Sequence, residues 1–157
     1  MKHHITLRKP TFSDYAKMAS LIQDEQEHLW AFPSASFPLS VDDIQKRAES
    51  REFTIVLEDD KLIGFANLYE EKSHLFIGNF VISAEYRKKG HGKNLMIFLL
   101  DKARKVYGTK TIMISVILGN DIAKKLYEQI GFVQSSTEFF ETYIGKKYMV
   151  LHMKKAL

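Results

Sequence analysis

The chain has 157 residues, 45% of them hydrophobic and 27% charged, with a formal net charge of +4. That length suits one domain with a substantial core, and that balance is ordinary for a globular protein. Cysteine is absent, which excludes disulfides, thiolate metal sites and any intermediate carried on a cysteine. No apolar run approaches the ~18–20 residues that cross a bilayer, and "MKHHITLRKP" lacks the apolar segment of a secretory signal. The expectation is therefore a single cytoplasmic domain over 1–157 with no membrane contact. Adjacent His3 and His4 on a strand would point to opposite faces, so no metal site is expected either.

In chain order, "HITLRKP" (4–10) alternates Ile5 and Leu7 with polar residues and predicts a first strand. Ser13 is placed to cap a helix carrying Tyr15, Met18, Ala19 and Ile22. Residues 28–39, "HLWAFPSASFPL", mix aromatics with two prolines and read as irregular. Ser40 followed by Asp43 resembles a capping box and opens a second helix through Ile44 and Ala48. The period then changes: "EFTIVLED" (52–59) and "KLIGFANLYE" (61–70) read as a hairpin around an acidic turn. "HLFIGNFVIS" (74–83) is apolar on both faces and belongs centrally in the sheet.

After the junction "YRKKGHGKNL", the stripe Leu95, Met96, Leu99, Leu100, Ala103 and Val106 predicts a helix from Gly92 that stops near Gly108. "TIMISVIL" (111–118) is another two-faced strand. "NDIAKKLYEQIGF" (120–132) is a short helix with Ala123, Leu126, Tyr127 and Ile130 inward. Strands near 132–139 and 147–154 close the chain. Antiparallel hairpins at both ends with helical crossovers between them describe a mixed sheet covered by helices on both faces.

The junction puts glycines and dense positive charge where a strand feeds a helix. Gly90 and Gly92 permit backbone angles barred to other residues and close approach of a ligand. Amides from Lys88 to Lys93 lie at a helix N-terminus, whose partial positive charge favours an anion, and Lys88, Lys89 and Lys93 add point charges. A P-loop is excluded because no Ser or Thr follows Lys93. A dinucleotide fingerprint is excluded because the third glycine position is Leu95 and the junction lies beyond mid-chain.

The pattern R-x-x-G-x-G, from Arg87 to Gly92, resembles the GCN5-related N-acetyltransferase (GNAT) superfamily. So does "NDIAKKLYEQIGF", which matches N-x-x-A-x-x-L-Y-x-x-x-G-F at every defined position. The two motifs span residues 76–132 in the family's order. The resemblance implies a GNAT fold: about seven strands, mostly antiparallel, with a V-shaped splay between the fourth and fifth, and about four helices. It implies acetyl-CoA as cosubstrate and transfer of its acetyl group to a primary amine by direct attack in a ternary complex.

Carried over by position, the main chain of Phe80, Val81 and Ile82 would pair with the pantetheine arm. The amides of Lys88, Lys89, Gly90, His91, Gly92 and Lys93 would hold the pyrophosphate, with the His91 ring exposed. Asn120 would hydrogen-bond the pantetheine side, and as a helix cap it has a purely structural role as well. A strand N–H near Val81 or Ile82 would stabilise the oxyanion, and Tyr127 would protonate the leaving thiolate; otherwise Tyr127 is one more inward aromatic. Gly78 marks either a bulge or a close-packed strand position.

A lysine-like amine is mostly protonated at neutral pH, so a base is needed. Some family members place a glutamate on the fifth strand, where this chain has Ser115, and others on the fourth, where it has Phe76. Glu70, Glu71, His74 and Glu141 remain, each better read as solvated surface charge. Trp30, Phe32 and Phe37 fall where the family lines its acceptor pocket, or else cap the core beneath a loop. The family's C-terminal strands often mediate dimers, which makes a homodimer one reading. Two other functions stay in view: a non-catalytic acyl-CoA-binding sensor, kept alive by the missing carboxylates, and a nucleic-acid binder motivated by net charge alone, which would show steep salt dependence.

Overall fold

The computed structural model describes residues 2–157. Seven strands form one sheet in the order β1-β2-β3-β4-β5-β7-β6. They are β1 (Ile5–Arg8), β2 (Glu52–Glu58), β3 (Lys61–Glu71), β4 (His74–Ile82), β5 (Thr111–Ile117), β6 (Val133–Glu141) and β7 (Lys147–Ala156). Among the described residues only β4 and β5 run parallel. A parallel pair requires a crossover, supplied by α4 (His91–Lys102) and a π-helical turn over Ala103–Tyr107. The last hairpin inserts β7, not β6, beside β5.

The helices are α1 (Tyr15–Ser20), α2 (Glu25–Ala31), α3 (Val41–Ala48), α4 and α5 (Asp121–Ile130). Two apolar layers flank the sheet. Met18, Phe32 and Ile44 from the first three helices and their connections pack with Ile55 and Phe65 on one face. On the other, Leu95, Met96 and Leu99 of α4 and Tyr127 of α5 pack with Ile77, Ile114 and Val116. Burial of these side chains contributes roughly 1.5–3 kcal/mol each.

Three local expectations need correction. Helix α2 occupies part of the stretch read as irregular. Its signal was Asp24, whose side chain accepts a hydrogen bond from the Glu27 N–H at 2.8 Å. Pro33 restricts only the residue before it, so Phe32 leaves helical geometry while His28 to Ala31 stay helical. Thr11, not Ser13, forms the capping box at the chain's first helical turn. Val106 is exposed, although it continues the apolar stripe of α4. The π-helical turn adds a residue to the last turn and rotates the stripe, so Tyr107 takes the packed position and donates to Glu52 at 2.7 Å. The Ser40–Asp43 capping box stands as read.

His28 on α2 is 3% exposed, and its Nε2 has no hydrogen-bond partner among the described residues. Burial lowers its pKa from the ordinary 6.5. The folded state therefore prefers the neutral ring, while the unfolded chain takes up a proton as pH falls through about 6.5. The stabilisation is present above that pH and is lost below it, with a slope of up to about 1.4 kcal/mol per pH unit. Urea unfolding followed from about pH 7 to about pH 5 should show this loss in the wild type. In His28→Leu that slope should be largely gone.

Candidate functional site

The parallel pair β4–β5 is brief. Only Phe76 and Ile77 are registered, against Met113 and Ile114, although β4 continues to Ile82 and β5 to Ile117. Beyond Ile77 the two strands part, and β4's peptide groups on that side lose their strand partners. The gap is a cavity of about 810 Å³ whose walls include Phe80, Val81 and Ile82 of β4 and Ser115 of β5. Its mouth reaches α2 on one face of the sheet and α4 with α5 on the other.

The divergence has a local cause. The β3–β4 register shifts between Phe65↔Val81 and Asn67↔Gly78, leaving an extra residue on β4. Asn79 sits in that bulge with φ +47°, a left-handed geometry that asparagine tolerates better than most residues. Its side-chain oxygen accepts from Arg51 Nη1 at 2.8 Å and from Asn67 Nδ2 at 2.7 Å. Its amide donates to the Ala31 carbonyl, at the end of α2, at 2.7 Å. One side chain thus holds the bulge and ties α2 to it. Gly78 neighbours the bulge and is also close-packed, since a Cβ there would stand 2.6 Å from the Tyr69 ring. Both readings of Gly78 therefore hold together.

At the cavity's end, Gly90 has φ +87° and precedes the first residue of α4. The helix's first bond runs from Asn94 N–H to the Gly90 carbonyl at 3.0 Å, so the N–H groups of His91, Gly92 and Lys93 lack intrahelical acceptors. The helix dipole adds positive potential at this end. Gly92, by contrast, lies inside the first turn without a positive φ. Its freedom is not used, and a Cβ there would make only ordinary contacts with Leu126 and Phe80.

His91 also departs from expectation. Its ring is buried, and Nε2 stands 3.4 Å from Glu58 Oε1. The first turn of α4 directs the ring inward against β2, leaving the backbone amide at the cavity wall. Arg87 braces the loop from the other side: Nε donates to the Ile82 carbonyl at 2.9 Å, and Nη2 donates to Glu27 at 3.0 Å. Lys88, Gly90, His91, Gly92 and Lys93 line the cavity. Lys89 does not, and its Nζ stands 5.4 Å from the Tyr86 ring centre.

Helix α5 forms the facing wall. The Asn120 side-chain oxygen accepts from Ala123 N–H at 3.4 Å and caps the helix, leaving its NH₂ group for other partners. Tyr127 is buried and lines the cavity, with its ring edge-on to Phe80 and to Phe132, each at 6.2 Å. Burial pushes the phenol's pKa upward, so the hydroxyl keeps its proton at neutral pH and can donate it.

The remaining candidates separate cleanly. Glu70, Glu71, His74 and Glu141 are exposed and do not line the cavity. Phe32 is fully buried core, whereas Trp30 lines the cavity. Phe37 instead packs edge-on against His28, with centroids 5.5 Å apart. Sequence reasoning missed the surroundings of Ser115. Ser115 and His152 are register partners on β5 and β7. The serine Oγ stands 2.7 Å from His152 Nδ1, and His152 Nε2 stands 2.7 Å from Glu138 Oε1. This chain joins three strands, and nothing in the local sequence around His152 announces it.

Comparison with known proteins agrees with this geometry. The model of the acetyltransferase (GNAT) family matches residues 16–132. Among curated relatives, the uncharacterised N-acetyltransferase YycN of Bacillus subtilis is 30% identical over 87 residues, 53% of this chain and 55% of that protein. The [ribosomal protein bS18]-alanine N-acetyltransferase of Haemophilus ducreyi is 29% identical over 49% of this chain and 52% of that protein. The chain thus spans about half the length of these curated relatives. Two solved structures share the fold over nearly their whole length. The spermidine N-acetyltransferase of Vibrio cholerae, in complex with CoA and spermine, has a TM-score of 0.80 at 23% identity, covering 97% of this chain and 95% of that one. Arabidopsis thaliana NAA60, in complex with a bisubstrate analogue, has a TM-score of 0.79 at 16% identity, covering 98% of each. A family match over most of the chain, falling on the strands and helices that build this cavity, shows that the chain belongs to the GNAT acetyltransferase family.

Proposed function

We propose that the protein is an N-acetyltransferase that moves the acetyl group of acetyl-CoA to a primary amine by direct attack, both substrates being bound together. The observation that carries this reading is the parting of β4 from β5 beside a helix N-terminus that begins on a left-handed glycine. An extended arm with amide groups along its length can replace β5 as the partner of Phe80, Val81 and Ile82. A pyrophosphate at its far end meets the amides of Lys88, Gly90, His91, Gly92 and Lys93, where dipole and lysine charge oppose its negative charge. Asn120 offers its NH₂ to the arm while its oxygen caps α5. The V. cholerae and A. thaliana neighbours named above were solved with CoA and with a bisubstrate analogue, respectively, which supports the same choice of ligand here.

The chemistry follows from the wall groups. An amine nitrogen attacks the thioester carbon, and a β4 N–H near Val81 or Ile82 holds the developing oxyanion. The C–S bond then breaks, and Tyr127, kept protonated by burial, supplies a proton to the sulfur. With no cysteine in the chain, no acyl-thioester relay on the protein is available. The acceptor enters from the α2 side, where Trp30 contributes an aromatic wall.

Two outcomes test this reading. Acetyl-CoA at ~100 times its dissociation constant should stabilise the fold by about 2.7 kcal/mol in a thermal-shift assay. NAD and ATP at the same concentration should do little, and stabilisation by them in place of acetyl-CoA would overturn the ligand assignment. Tyr127→Phe should keep acetyl-CoA stabilisation but lose about 10²–10⁴-fold in thiol release with a primary amine. An undiminished rate in that variant would remove the proton-donor role. Acetyl-CoA binding without turnover of any amine would favour the sensor reading.

A further inference from the structure

Removal of the amine's proton is still unassigned, and the cavity's own acids do not offer it. The carboxylates on its wall are Asp24 and Glu27. Asp24 caps α2. Glu27 receives Arg87 on one oxygen and the Gln23 N–H on the other. His91 is turned toward Glu58. Each of these groups already has a structural partner.

The chain Ser115–His152–Glu138 differs. Its inner end, Ser115, lies in the cavity wall. Ile114 and Val116 pack into the layer under α4 and α5, so alternation along β5 turns Ser115 toward the opposite face, the side of α2. From there the chain runs outward. The His152 side chain is 19% exposed and that of Glu138 61%, so a path leads from the cavity to water. The hydrogen-bond directions are fixed by elementary chemistry. A carboxylate only accepts, so His152 Nε2 must carry the hydrogen; in the neutral ring Nδ1 then has a free lone pair, and Ser115 must donate to it. The Phe76 ring, edge-on to His152 at 6.4 Å and stacked on Tyr69, holds the imidazole plane.

We infer that Ser115, His152 and Glu138 form a proton relay that deprotonates the acceptor amine, an inference that rests on the acetyl-transfer reading above. The incoming ammonium gives a proton to Ser115 Oγ as the serine's own proton passes to His152 Nδ1. The products are a neutral amine with a free lone pair and an imidazolium whose Nε2–H is paired with Glu138. The imidazolium then gives its Nε2 proton past Glu138 to water, and proton exchange with water at the partly exposed ring moves the remaining hydrogen from Nδ1 back to Nε2, which restores the starting tautomer. The amine forms the N–C bond, the C–S bond breaks as Tyr127 gives its proton to sulfur, and the second proton shed by nitrogen returns to the Tyr127 phenolate. One proton per turnover leaves through His152. Ser115 touches substrate, whereas His152 and Glu138 act through it.

The test combines a resonance measurement with kinetics on the full chain. In the free protein, ¹⁵N spectra at mildly alkaline pH should show neutral His152 protonated on Nε2, and a ring protonated on Nδ1 would overturn the relay. With saturating acetyl-CoA, thiol release is then compared across primary amines of decreasing basicity. Ser115→Ala and His152→Gln should lose about 10²–10⁴-fold with strongly basic amines. Glu138→Gln, exposed and harmless to the fold, should lose less. These losses should shrink toward none with a weakly basic amine already neutral at the assay pH, while the KM for acetyl-CoA stays unchanged. A loss of equal size for every amine would mean a structural role, and no loss at all would remove the relay while leaving the acetyl-transfer reading intact. An acetyl group found on Ser115 by mass spectrometry would replace the relay with a covalent route. A wild-type chain inactive on every amine would defeat the underlying reading as well.

Discussion

Two parallel strands that stay paired for only two residues are the constraint on which the rest of the structure depends. A sheet ordinarily satisfies its backbone groups strand by strand, and an open seam in its centre leaves costly unpartnered amides. Here the seam is held open from several sides. The bulge at Asn79 bends β4, Arg51 and Asn67 bind the bulged side chain, and the end of α2 is tied to the same residue. On the other side, β7 pairs with β5 along its full length, so β5 has no need of β4 for stability. The polar groups exposed by the seam are then free for a ligand.

The seam also explains why the sequence's chemistry gathers where it does. Strand β4 ends by leading into the Gly90 turn, and β5 ends by leading into Asn120 and α5. A loop that begins at the end of each diverging strand must lie at the wide end of the wedge. Helix N-termini therefore collect there, and with them the free amides of α4 and the capped start of α5. Tyr127 follows because it lies on the inward face of α5, directly across from Phe80.

Much of this was legible in the sequence because it is local. Strand alternation, the Ser40–Asp43 box and the apolar stripe of α4 depend on neighbours a few residues apart. The family motifs likewise compress the site into residues 76–132. What escaped was set by longer-range or subtler geometry. The exposure of Val106 depends on one added residue in a helical turn, and the burial of His91 on where the first turn of α4 meets β2. The partition of Trp30, Phe32 and Phe37 was invisible because α2 itself was missed; once Asp24 caps that helix, its turn decides which ring faces the core. Ser115, His152 and Glu138 are far apart in sequence, and their meeting requires β7 to insert between β5 and β6. No periodicity encodes that choice.

The same topology divides acid from base across the sheet. In the proposed reaction the leaving sulfur needs a proton and the attacking nitrogen must shed one, and a single site offering both would let them neutralise each other. Tyr127 belongs to the layer under α4 and α5, in an apolar setting that holds its proton. Ser115 belongs to the other face, on a hydrogen-bonded path that ends in water at Glu138. Burial suits the donor, because desolvation keeps a phenol neutral. Solvent contact suits the acceptor, because its proton has to leave. In the proposed reaction the open seam between β4 and β5 lets groups on the two faces act on the same pair of reacting atoms, since Tyr127 and Ser115 both line its cavity.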